Sequence, residues 1–331
     1  MTITAHPKKP VVAFSYVEPK DLPKLVTALG KSGMPRGTPV YLGSYGISDT
    51  FSAQVHKLPG AKYAPLFDLK PNRLWEKRHL AAADAKKVPA DPKLSGRIPT
   101  VAELGKLTGS ERVAFGAELG RRMRDHIRES AKAGVKVDAW QFDELLGEAS
   151  GPKGAGIRQF TRGILTGLHG GRKELGDPPM QGLTYLAHTS LPIAGMKPDG
   201  ELSRFWKTLD QTSLRIVGEE YPDFRGDPKA AANAQSTGQR LLAHGGPIRQ
   251  ALADKYMVGM SPGYRLGGGL GGNTAHLTRG QVNHWRDAFI DARRKDGVAG
   301  YAEYNFRFEN ASATVMQDTA SAVARAVAKK R

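Results

Sequence analysis

The sequence predicts an α/β protein, a single-domain (β/α)8 barrel, and three observations support this. Eight short apolar runs recur, at residues 11–15, 39–43, 63–67, 137–142, 183–187, 214–217, 256–259 and 298–301, each followed by a helix-like stretch. Strands alternating with helices argue for a parallel sheet, and eight such units are what a closed barrel of this kind needs. Five of the runs close on an acid or a histidine: Asp68, Asp143-Glu144, His188, Glu219-Glu220 and Glu303. In a parallel barrel every strand C-terminus opens on one face, so these scattered side chains are expected to converge there.

Taken in order, the first strand leads to a helix over 21–31, with Leu22, Leu25, Val26 and Leu29 on one face. Gly33-Met34-Pro35 breaks the chain before the second strand. Ser48 or Asp49 can cap a short helix running to Val55, and Pro59-Gly60 stops it. After Asp68 the regularity fails. Residues 69–99 hold Pro71, Trp75, Lys77-Arg78, Lys86-Lys87, Pro89, Pro92 and Arg97. In a barrel this long basic loop follows strand three on the mouth side, either as a lid over an anionic or sugar-like ligand or as a disordered connector. Helical patterning resumes over 101–133 with a break near Gly109-Ser110, and Gly134 sits where a helix C′ residue belongs. Further helices are read at 154–169, 201–211, 228–255, 278–295 and 311–329. Turn-rich connectors such as Gly176-Asp177-Pro178-Pro179 separate the units, and no internal repeat divides residues 1–331.

Composition narrows the class. A chain of 331 residues, 40% hydrophobic and 24% charged, suits one barrel with an insertion. The absence of cysteine excludes disulfides and thiolate metal sites. No apolar run approaches the roughly 18 residues of a membrane span. The first ten residues carry His6, Lys8 and Lys9 with no apolar stretch after them, so no secretory signal is expected and a cytoplasmic location is. The formal charge of +17 attracts polyanions, nucleic acid among them, although a basic host proteome explains the same excess.

The sharpest local pattern is Val137-Asp138-Ala139-Trp140-Gln141-Phe142-Asp143-Glu144. Period-two alternation puts Ala139, Gln141 and Asp143 on one face and Trp140 and Phe142 on the other. The aromatics suit the helix-packed side, which turns Gln141 and Asp143 inward, where a buried amide and acid demand partners or a ligand. Glu144 then leans over the mouth, unless it or Asp143 caps the next element. In the sixth strand Leu214 and Ile216 are expected outward, with Arg215, Val217 and Glu219 inward. In the eighth, Tyr301, Glu303 and Asn305 share a face beside the small Ala299, Gly300 and Ala302, and Glu303 is the leading site candidate.

Two carboxylates across a cleft can divide acid, base and nucleophile roles, because their surroundings push their pKa values apart. Tyr16, Tyr45, Trp75 and Tyr304 near strand ends offer surfaces on which sugars stack. In strand count and in the Asp143-Glu144 pair closing strand four, the chain resembles the TIM-barrel glycoside hydrolases. That resemblance implies a glycosidase without cofactor, with Glu144 at the acid/base position and Asp143 where an asparagine is usual. The strand-seven end reads Met260-Ser261-Pro262, with no acid. The expected catalytic set is therefore Glu303, Asp143, Glu144 and Glu219. Gln141, Asp68, His188, Tyr301, Asn305, Tyr16, Tyr45, Trp75 and Arg265 are the expected binding set for a carbohydrate or other small polar substrate.

Two other readings stay open. Asp68, Asp143, His188, Glu219 and Glu303 could hold a divalent metal, and the Gly267–Gly272 loop beside Arg265 could cradle phosphate, as in a lyase, isomerase or phosphodiesterase barrel. A non-catalytic barrel binding an anionic polymer is the third.

Overall fold

The computed structural model describes residues 10–68, 105–145, 154–186, 200–219, 246–252, 254–260, 278–303 and 313–329. Its strands are β1 (Val11–Phe14), β2 (Val40–Leu42), β3 (Ala61–Tyr63), β4 (Leu66–Asp68), β5 (Trp140–Leu145), β6 (Gly182–Leu186), β7 (Ser213–Glu219), β8 (Tyr256–Met260) and β9 (Gly300–Glu303). The helices are α1 (Leu22–Lys31), α2 (Asp49–Val55), α3 (Gly109–Lys132), α4 (Ala155–Gly170), α5 (Gly200–Thr212), α6 (Gly246–Leu252), α7 (Arg279–Lys295) and α8 (Ala313–Ala328). Among the described residues no helix is long and apolar enough to cross a membrane.

All strands pair in parallel, in the order β3-β2-β1-β9-β8-β7-β6-β5-β4. The two strands at the ends of this order are neighbours in the chain, separated by Ala64 and Pro65. The Ala64 and Leu66 amides donate to Leu42 and Ser44 carbonyls (3.0 and 2.8 Å), while the Tyr63 and Pro65 carbonyls accept from Asp138 and Gln141 (both 2.9 Å). One bent segment thus bonds β2 on one side and the run into β5 on the other. The single strand expected at 63–67 is two short strands, because Pro65 has no N–H to give to a ladder.

Two apolar layers lie on opposite sides of this curled sheet. Val11, Ala13, Leu66, Leu183, Val217, Met257 and Ala302 form a cluster to which no helix contributes, so the sheet curls around them. On the other side Val12, Phe14, Phe142, Ile216 and Val258 join the buried faces of the helices, such as Leu25 and Leu29 of α1. Period-two alternation produces both layers, and each strand of a two-sided sheet accordingly reads as almost continuously apolar. Ile216 faces the helices and Val217 the concave side as expected. Leu214, expected outward, instead packs partly buried against the concave cluster at the start of β7.

Local chemistry sets the helix ends. The Ser48 hydroxyl accepts from the Phe51 amide, capping α2. The break expected near Gly109-Ser110 is the start of α3, where Thr108 and Glu111 form a reciprocal capping box. α7 begins the same way at Thr278 and Gln281. At the end of α3, Gly134 takes φ +89°, its amide reaches Ala131 and the Val135 amide reaches Ser130, the pairing of a Schellman stop. α3 and α4 meet along a glycine seam. A Cβ at Gly116 or Gly120 would lie 2.1 Å from the Phe160 carbonyl oxygen or 2.2 Å from that of Ile164. A Cβ at Gly163 or Gly167 would lie 2.2 and 2.1 Å from the Val113 and Ala117 oxygens. The two backbones are in direct contact, a spacing only glycine allows.

Candidate active site

Apart from Arg215 of β7, the concave side is apolar until it nears the strand C-termini, where three polar side chains meet. Ser15, the residue after β1, donates from its hydroxyl to Gln141 Oε1 at 2.6 Å and also bonds the Tyr185 hydroxyl. All three are fully buried. β1, β5 and β6 each deliver one member through the alternation that puts Ala13, Ala139 and Leu183 on the same side. A serine hydroxyl has one hydrogen, and here it goes to Gln141, so the Tyr185 hydroxyl is the donor to Ser15. The Gln141 amide nitrogen then keeps both hydrogens without an acceptor among the described residues. Leaving a buried donor unmatched costs about 1–3 kcal/mol. Gly43 makes room for it: a Cβ there would stand 2.5 Å from Gln141 Nε2.

Beside this trio the chain leaves β1 under strain. Tyr16 holds φ +58°, alone among the described non-glycine residues, and is buried with its ring edge-on to Tyr45, centroids 4.5 Å apart. A bulky residue in the left-handed region costs on the order of 1–3 kcal/mol, and such positions cluster at functional sites. Tyr45 is half-buried and bridges to Leu66 of β4. Behind it, on the helix side, the Tyr63 hydroxyl donates to the Gly46 carbonyl and accepts from the Ser48 amide, both at 2.9 Å. Burial pushes this phenol up to about 12.

Backbone register sets where the expected acids stand. Asp68 and Asp143 are opposite one another on β4 and β5. Glu219, the last residue of β7, is opposite Gly259. Glu303 ends β9 in register with Phe14 and Met260, both members of the helix-facing layer. The side chains of Asp68, Asp143, Glu144, Glu219 and Glu303 lie outside the described set, as do residues Trp75, His188, Arg265, Gly267–Gly272, Tyr304 and Asn305 altogether.

Of the expected binding residues that are described, Gln141, Tyr16 and Tyr45 gather at the concave mouth. Tyr301 does not. It is buried in the helix-facing layer, while its neighbour Ala302 is on the concave side. The expectation that Tyr301 lines the site is corrected. The small Ala302 faces the concave interior, and the helix-packed face is the one that carries Tyr301. Its hydroxyl has no hydrogen-bond partner among the described residues, and burial raises its pKa. Arg215, on the concave side of β7, is also buried, donates to the Leu214 carbonyl at 2.8 Å, and is pushed down by desolvation. Ser15 and Tyr185 were not singled out from the sequence. For Ser15 a signal is present, as the polar residue closing an otherwise apolar run, whereas Tyr185 shares its run with Thr184 and is not marked out. Among the described residues no three acid or histidine side chains stand close enough to hold a metal ion.

No protein-family model and no curated protein sequence matches the chain. Solved structures do. The C-terminal domain of a provisionally named chitinase from Desulfitobacterium hafniense matches with TM-score 0.53 at 9% identity, over 97% of this chain and 100% of that one. Fungal β-1,4-galactanases match with TM-score 0.49 at 9% identity, over 90% of both chains. A sugar phosphate isomerase/epimerase from Parabacteroides distasonis matches with TM-score 0.45 at 11% identity, over 99% of this chain and 97% of that one. At such identities the likeness is one of fold, a TIM-barrel-like α/β architecture.

Proposed function

We propose that the sheet closes as a (β/α)8 barrel and that the chain is a glycosidase-like enzyme working at the strand C-termini. The observation that carries the reading is the buried Gln141 amide, held by Ser15 with its donor hydrogens unmatched among the described residues, near the strand ends. A donor fixed this way suits a hydroxyl oxygen of a bound sugar. The strain at Tyr16 and the Tyr16–Tyr45 pair beside it support the same location.

The acids are assigned by alternation. In the sequence Asp68 follows Leu66, Asp143 follows Gln141 and Glu219 follows Val217 at a spacing of two, and on that period we assign these three acids to the mouth. Position 303 is in step with Tyr301 instead, so Glu303 ranks behind Asp143 and Glu219. One carboxyl of the pair protonates the glycosidic oxygen as it leaves. The other attacks the anomeric carbon or activates water, according to their separation. Glu144 takes the acid/base role if the strand-four resemblance holds at that residue. No cofactor enters this scheme, and a small neutral or anionic carbohydrate is the substrate class.

The test is reducing-sugar release from galactan, mannan and chito-oligosaccharides in the presence of a chelator. Asp143→Asn and Glu219→Gln are expected to lower kcat about 10²–10⁴-fold with the far-ultraviolet spectrum unchanged, and Glu303→Gln to keep most of the activity. Loss at Glu303 with the other two intact reverses the assignment. Activity that disappears with the chelator gives the acids to a metal. No turnover of any glycan, with no glycan binding, removes the glycosidase reading.

A further inference from the structure

At the opposite end of the sheet, where the strands begin, lies a cavity of about 770 Å³. Its floor is Tyr41, Ala139 and Leu214, the last concave-side residues before the strands run out. One wall is a single stripe of α3, Arg124, Ile127, Arg128 and Ala131, whose spacing of three and four residues puts them on one face. The other wall is Pro178, Pro179 and Met180, in the connector before β6, with His169 at the end of α4.

The charges around it are unevenly matched. Arg128 pairs with Asp125 and Asp177, each at 2.7 Å. Asp138 pairs with His56 at 2.8 Å and accepts from the Tyr63 amide at 2.9 Å. Arg124 has no carboxylate within salt-bridge distance among the described residues, although its exposure is only 7%. Its terminal nitrogens rest on the Pro178 carbonyl, at 2.9 Å, and the Met180 sulfur, and its Nε has no partner among the described residues. Asp177 is near enough to favour its charge, but desolvation is the larger effect and lowers its pKa. A buried guanidinium without a carboxylate, on the wall of a mostly apolar cavity, is the arrangement that an organic anion completes. Its size is in the range that holds a small molecule.

We propose that this cavity is a second ligand site, separate from the strand C-termini, for a small monocarboxylate with an apolar body, the carboxylate on Arg124 and the body against Tyr41, Ile127 and Leu214.

Calorimetric titration at low salt tests it with octanoate and benzoate, against the uncharged octanol and benzyl alcohol. The acids are expected to bind saturably, and the alcohols about tenfold more weakly or worse, the scale of a hydrogen bond to a charged group. Arg124→Gln is expected to bring the acids down to the alcohols. Ala131→Trp, at the exposed rim of the same helix face, is expected to block both without touching the guanidinium, and it keeps the test open should the Arg124 variant fail to fold. Equal affinity for acid and alcohol overturns the proposal, as does octanoate binding that survives both variants. It also fails if no probe binds, or if Gln141→Leu at the other end of the sheet is what abolishes binding.

Discussion

The glycines of the α3–α4 seam and the polar trio at the mouth are both buried, yet they are built on opposite principles. Along the seam the contact is backbone on backbone: Gly116, Gly120, Gly163 and Gly167 bring two helices together, and ion pairs from Arg172 to Glu118 (2.9 Å) and Asp125 (2.8 Å) fasten the following connector to α3. At the mouth something is left over: an amide with unmatched hydrogens beside a tyrosine in a strained backbone conformation. Close packing without unmet groups stabilises a fold. Unmet donors and strain lower stability and persist where a ligand uses them.

The largest expected effect tests the seam. Gly120→Val drives a branched side chain into the Ile164 carbonyl and is expected to cost about 3 kcal/mol or more, measured by urea unfolding. Gly120→Ala is expected to cost less, about 1–3 kcal/mol from the clash, partly offset by alanine's helix propensity, worth up to about 1 kcal/mol. A neutral result for both would mean that the helices can separate, and the contrast with the mouth would fail.

Next comes the alkaline limb. Tyr63 is protonated in the folded chain beyond the pH at which a free phenol ionises, so in that window the unfolded chain binds fewer protons and stability falls as pH rises. Burial raises its pKa from 10.0 to about 12, so stability should fall by about 2–3 kcal/mol across that interval and be intact below it. Tyr63→Phe is expected to make this decline shallower, read from denaturation midpoints between pH 9 and 12.

At the mouth the sign should reverse. The triple change Ser15→Ala, Gln141→Leu and Tyr185→Phe removes every member of the trio's hydrogen bonds together with the donor left unmatched among the described residues. It is expected to leave stability unchanged or raise it by about 1 kcal/mol, while glycan binding and turnover are lost. A large loss of stability there would make the trio a structural device like the seam. The smallest effect is at a helix start: Thr108→Ala should cost about 1 kcal/mol through loss of the cap, with no change in activity, by thermal melting.

Much of the architecture is legible in the sequence. The expected runs recur as the strands, and in β5 the alternation was read correctly, with Ala139 and Gln141 on one side and Trp140 and Phe142 on the other. Period two is a local property of a strand, and neighbouring residues suffice to show it. The capping box at Thr108 and Glu111 is equally local, but was obscured because Gly109-Ser110 resembles a break. Tyr301 shows the limit of that reading. A four-residue strand of small and large residues fits either phase, and only its register with Val12 and Val258, both in the helix-facing layer, selects one. The trio was not legible at all, since Ser15 is 126 residues from Gln141 and 170 from Tyr185. Nothing local to a serine names partners at that distance.

By itself, then, the sequence determined the alternation of strands and helices, the helix stops, the basic charge and the absence of thiol chemistry, because each depends on neighbours along the chain or on composition. Tertiary structure alone decided that Ser15 would hold Gln141, that two glycine-bearing helices would touch backbone to backbone, and that Arg124 would be buried with no carboxylate beside it among the described residues. Those outcomes depend on how the sheet curls and which helix faces meet, and such contacts join residues whose separation in the chain carries no information about their separation in space.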